Sequence, residues 1–101
     1  MSGTLSYRFI DRLKALPFIE AIYLYGSRAR GDHRERSDID LAIVCPAADW
    51  RDWQQVIDII EAADTLLEID CVRLDAEAPD STLRRSIERD KKVLYERSSA
   101  A

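Results

Sequence analysis

Gly26-Ser27-Arg28-Ala29-Arg30-Gly31-Asp32-His33-Arg34-Glu35-Arg36-Ser37-Asp38-Ile39-Asp40-Leu41 leaves one extended run, turns, and enters another. Before it, Ile19–Tyr25 is rich in β-branched and aromatic residues and is closed by Gly26-Ser27, which reads as a strand. Ser27–Gly31 has room for a single helical turn, with Gly31 as its stop. Ser37–Cys45 reads as a second strand, ended by Pro46. Strand periodicity puts Asp38 and Asp40 on one face and Ile39, Leu41 and Ile43 on the other, toward a core. Two carboxylates held this close repel each other unless a cation neutralises them, and hard oxygen ligands suit Mg²⁺ or Mn²⁺. An Asp pair at a solvated strand edge is the other meaning of the same pattern. Gly26-Ser27 is open in the same way. Glycine lets a backbone approach a phosphate and free N–H groups at a helix start favour an anion, yet an ordinary turn uses the same residues.

Working outward, Leu5, Phe9, Leu13 and Leu16 recur at helical spacing, which predicts a helix over Leu5–Leu16 that Pro17 terminates. Downstream, Trp50, Trp53, Val56, Ile57, Ile60 and Leu67 mark a long helix from Asp49, its N-cap, to about Leu67. Leu67–Leu74 is a third strand. It carries Asp70 inside an apolar run, where a charge is disfavoured. If this strand pairs beside Ser37–Cys45, Asp70 joins the face of Asp38 and Asp40; on an edge strand it would simply point outward. A turn-rich Asp75–Asp80 follows, then a helix capped by Asp80 or Ser81 and running to about Arg89, with Leu83 and Ile87 inward. Val93–Tyr95 closes the order as a short edge strand or a docked extension. The class expected is α/β (or α+β): a small mixed sheet with helices packed on one side.

With 101 residues, 47% hydrophobic and 34% charged, the chain is expected to form a single domain over residues 1–101. The net charge of −4 speaks against a general nucleic-acid binder, which needs a basic surface. Arg28, Arg30, Arg34 and Arg36 nevertheless make a basic segment, opposed only by Asp32 and Glu35, which suits a small anionic ligand better than a polymer. Cys45 and Cys71 fall in apolar runs and read as buried free thiols. With no apolar leader and no long apolar run, a soluble cytoplasmic protein is expected.

Gly-Ser, ten residues, then Asp-x-Asp resembles the signature of the polymerase-beta-type nucleotidyltransferase superfamily. The GSRARG start at 26–31, the SDIDL run at 37–41, the acid at Asp70 and the closing Val93-Leu94-Tyr95-Glu96 look like its minimal nucleotidyltransferase (MNT) branch, over about residues 5–96. One departure is Asp90-Lys91, where a glycine turn is the family habit; Asp tolerates the left-handed conformation better than most residues. The resemblance implies the nucleotidyltransferase core fold and two Mg²⁺ ions held by Asp38, Asp40 and Asp70. Asp70 would also draw the proton from the attacking hydroxyl. ATP would be the donor, with Gly26 and Ser27 gripping its phosphates and Arg28 or Arg30 adding charge-assisted contacts. For Arg34 and Arg36, a phosphate role and solvated loop charges stay equally open.

His33, the only histidine, sits in a charged loop without an orienting partner. Trp50 and Trp53 fit core or interface, and Tyr23 and Tyr25 fit strand packing, although Tyr25 adjoins Gly26. A second, acceptor-binding domain is not expected within 101 residues, so a partner is expected to supply the acceptor. For the MNT branch that partner is a HEPN-domain ribonuclease toxin, and the resemblance implies an antitoxin that transfers AMP to a tyrosine of the toxin. A non-catalytic antitoxin that masks the toxin by binding, and a small-molecule nucleotidyltransferase, are the alternatives. Apolar surface near Trp50 and Trp53 would favour the two partner-binding readings.

Overall fold

The computed structural model describes residues 7–31 and 38–97. The elements run α1 (Arg8–Lys14), β1 (Ala21–Tyr25), α2 (Ser27–Arg30), β2 (Ile39–Val44), α3 (Trp50–Glu61), β3 (Ile69–Arg73), a 3₁₀ turn (Leu74–Ala76), α4 (Thr82–Asp90) and β4 (Lys92–Glu96). This is the expected order, with the 3₁₀ turn added. The sheet order is β3-β2-β1-β4. β1 is antiparallel to both β2 and β4, while β2 and β3 are parallel, so the sheet is mixed.

Side-chain alternation along the strands builds two apolar layers. Ile22 and Leu24 of β1 with Ile39, Leu41 and Ile43 of β2 bury one face against Phe9, Ile10 and Leu13 of α1 and Val56 and Ile59 of α3. Each such fully buried Leu or Ile stabilises the fold by roughly 1.5–3 kcal/mol. The opposite face is also covered: Ala21, Tyr23 and Ala42 pack with Leu74 and with Ile87 of α4, and Leu83 lies against the same cluster. Two helices therefore share the expected side and α4 takes the other. The reason lies in β1, whose Ala-Ile-Tyr-Leu-Tyr run is apolar at every position and needs cover on both faces.

Helix ends follow local chemistry. Asp49 caps α3 through a reciprocal box: its Oδ1 accepts from Asp52 N–H at 2.8 Å, and its own N–H donates to Asp52 Oδ2 at 3.1 Å. α3 stops at Glu61, six residues short of the expected Leu67, because the chain has already turned. Arg8 N–H donates to Asp64 Oδ2 at 3.3 Å, and Leu67 N–H to Thr65 Oγ1 at 3.1 Å. Ser81, not Asp80, caps α4, accepting from Arg84 N–H at 2.9 Å. After Asp90, Lys91 is extended (φ −59°, ψ 144°), so the turn into β4 needs no left-handed residue and the missing glycine costs nothing. Among the described residues, no helix is long and apolar enough to cross a membrane.

Candidate active site

β1 delivers the chain to Gly26, whose φ of 73° and ψ of −155° suit glycine alone. The position is also crowded. A Cβ built there would collide with a carboxylate oxygen of Asp40 and lie 3.2 Å from its Cγ. Glycine thus lets a β2 carboxylate rest against the backbone of the turn. From Gly26 the chain coils into α2: Ala29 and Arg30 N–H both donate to the Gly26 carbonyl at 3.1 Å. Gly31, left-handed at φ 82°, closes that single turn with its N–H on the Ser27 carbonyl at 2.9 Å. The leading N–H groups of such a turn have no intrahelical acceptor and face whatever approaches Gly26.

Asp40 is the centre of the constellation. It is the register partner of Tyr25 on β1 and of Asp70 on β3, so the parallel pairing that the sequence left open exists. Strand alternation sets Asp40 and Asp70 on the face opposite Ile39 and Leu41. Asp38 stands exposed just before β2, at the same parity. Burial raises the Asp40 pKa above its ordinary value, and the negative charges of Asp70 and Asp38 raise it further. Arg28 and Arg30 act in the opposite sense, which puts both guanidinium groups within electrostatic reach of the carboxylates. Arg30 is also tied to α4, with Nη1 3.5 Å from Asp90 Oδ2. Tyr25, half-buried, has its pKa pushed up to about 12, first by burial and then by Asp40 and Asp70.

Among the described residues, no group of three or more His, Cys, Asp or Glu side chains is placed to hold a metal ion. The donor set still fits a hard divalent cation. It offers carboxylate oxygens only, Asp40 and Asp70 are in register, and their repulsion with Asp38 is what a cation would relieve. Asp32, His33, Arg34, Glu35, Arg36 and Ser37 lie outside the described residues.

Other expectations sort clearly. Both cysteines are free; burial pushes Cys45 up to about 11 and Cys71 up to about 12, so neither is a poised nucleophile. Trp53 packs against the core, whereas Trp50 is 74% exposed beyond the other end of β2. Ile59, which the apolar stripe of α3 did not single out, is buried.

One network went unseen in the sequence. Arg73 at the end of β3 donates through Nε to Asp75 Oδ2 at 3.0 Å and through Nη2 to the carbonyls of Cys45 and Ala48 at 2.8 and 2.9 Å. Asp75 Oδ1 in turn accepts from Cys45 N–H at 2.8 Å. Arg-x-Asp spacing is the only trace of it in the sequence, and that pattern is common.

A four-strand mixed sheet of this order, with a Gly-Ser turn laid against the Asp40 carboxylate of the neighbouring strand, is the architecture of a nucleotidyltransferase. The chain belongs to the polymerase beta nucleotidyltransferase family, whose model matches residues 8–100. Solved structures agree. A variant of the toxin–antitoxin MntA–HpeT is 26% identical with a TM-score of 0.63, over 89% of this chain and 72% of that one. A toxin–antitoxin with AMP-PNP is 24% identical with a TM-score of 0.61, over 89% and 73% of the two chains. A tri-AMPylated Shewanella oneidensis HEPN toxin in complex with its MNT antitoxin gives 22% identity and a TM-score of 0.59, over 89% and 69%. A search of the curated proteins returns no match.

Proposed function

We propose that this chain, one domain over residues 1–101, is a Mg²⁺-dependent nucleotidyltransferase that transfers AMP from ATP to a protein acceptor. The acceptor is a tyrosine of a HEPN ribonuclease toxin, and the modification makes the chain a cytoplasmic antitoxin. The observation that carries the chemistry is the register of Asp40 with Asp70, with the Gly26 backbone against the Asp40 carboxylate. The biological role is supported by the similarity to chains from MNT and HEPN complexes, one bearing AMPylated toxin and another AMP-PNP.

In this mechanism Asp38, Asp40 and Asp70 would hold Mg²⁺, which when bound would acidify the attacking hydroxyl and neutralise charge on the departing pyrophosphate. Gly26 and Ser27 seat the phosphates at the start of α2, where a side chain at position 26 would collide with the Asp40 carboxylate. Arg28 and Arg30 offset the negative charge gathered there. Asp70, exposed on β3, takes the acceptor proton. Trp50, 74% exposed, is apolar surface suited to a partner. It fits masking by binding as well as catalysis, so the test must separate the two.

The test mixes the purified chain with a HEPN toxin as candidate partner, Mg²⁺ and each NTP in turn, and reads intact masses. A gain of AMP units on the partner, absent with Asp38→Ala/Asp40→Ala, is the expected result. No gain with any NTP, with full protection by that double variant, would replace catalysis by masking.

A further inference from the structure

We infer that the Tyr25 hydroxyl contacts substrate, donating a hydrogen bond to a phosphate oxygen of the bound nucleotide. The inference rests on the function proposed above and names a residue that packing alone would otherwise account for. Tyr25 is the last residue of β1, directly before Gly26, and the register partner of Asp40. It therefore stands at the junction of the phosphate turn and the acidic strand. Its ring is held in place: with Val44, Val72 and Leu83 it lies against the second apolar cluster. Its hydroxyl, by contrast, has no hydrogen-bond partner among the described residues. No buried polar atom lacks a partner among the described residues, so this hydroxyl reaches solvent and is open to a ligand, whereas the Tyr23 hydroxyl on the same strand donates to Glu96 at 3.3 Å.

The charged groups around the Tyr25 hydroxyl are Asp40, Asp70 and Glu77, all acceptors when ionised. A phosphate oxygen brought to Gly26 would meet carboxylates along the sheet, and the phenol offers it a neutral donor from a rigid strand. The same ring on a loop would have to be ordered at each binding event; here β1 has ordered it already.

Tyr25→Phe keeps the ring and removes only the donor. The probe is a non-hydrolysable ATP analogue with Mg²⁺, titrated calorimetrically into wild type, Tyr25→Phe and Asp40→Asn, with a melting curve of each. The expected result is analogue binding about five- to ten-fold weaker in Tyr25→Phe at an unchanged melting temperature, the size of one lost neutral hydrogen bond. Binding equal to wild type in Tyr25→Phe, where Asp40→Asn has lost it, overturns this inference alone and leaves Tyr25 a packing residue. A wild-type chain that binds no analogue overturns the proposed function, and the inference with it.

Discussion

β2 and β3 carry charge at both ends, and the two ends are built on opposite terms. At the far end Arg73 and Asp75 answer each other at 3.0 Å, and Arg73 Nη2 and Asp75 Oδ1 tie in the Cys45 backbone and the Ala48 carbonyl. At the near end Asp40 faces Asp70 across the same two strands, with Asp38 beside them, and burial first, then their repulsion, raises the Asp40 pKa. One end spends its charge on holding the chain. The other keeps an excess of carboxylates that Arg28 and Arg30 only partly offset, a state that a protein tolerates where a ligand is to complete the balance. The two ends should therefore fail differently when mutated.

The largest effect falls on activity at the near end. Asp40→Asn or Asp70→Asn should lower the transfer rate at least about a hundredfold, the scale of losing one electrostatic stabiliser, while melting no lower than wild type. Timed mass spectra and thermal melts check the two halves together. At the far end Arg73→Ala should lower unfolding free energy by about 3 kcal/mol, since it strands a partly buried Asp75 and two carbonyls, with little change in nucleotide affinity. Urea titration measures it, and a loss under about 0.5 kcal/mol would mean the network is ornamental.

Gly26→Ala belongs to both categories. The left-handed backbone and the collision with Asp40 should cost about 2 kcal/mol and also displace the carboxylate, so stability and transfer should fall together. The smallest effect is in pH. An acid whose folded pKa is raised binds its proton more tightly when folded. Asp40 therefore favours the fold at low pH, and that contribution is lost as pH rises from the ordinary 3.8 through the raised value. Metal-free wild type should lose stability over that window relative to Asp40→Asn, and parallel curves would show that the Asp40 pKa is not raised.

What the sequence disclosed depended on whether the physics was local. Element order, the Asp49 cap, the edge position of β4 and the shared parity of Asp38 and Asp40 follow from periodicity and neighbouring residues. The partnership of Asp70 with Asp40 depends on a parallel pairing across 30 positions of chain, so spacing alone kept it conditional. The side taken by α4 was not legible either, because a helix with Leu83 and Ile87 inward can cover either face of the sheet. Its resolution lay in β1, apolar on both faces, a fact visible in the sequence but not decisive there. The Arg73 network stayed hidden because two of its acceptors are backbone carbonyls, which no side-chain pattern announces.

The most direct test of an acidic end kept unbalanced for a ligand is a thermal melt of metal-free chain, repeated with Mg²⁺ and a non-hydrolysable ATP analogue together. Ligand binding to the folded state raises the melting temperature by mass action, so wild type should shift upward by several degrees at saturating ligand and Asp40→Asn should not. Equal shifts in both proteins, or none in wild type, would contradict it.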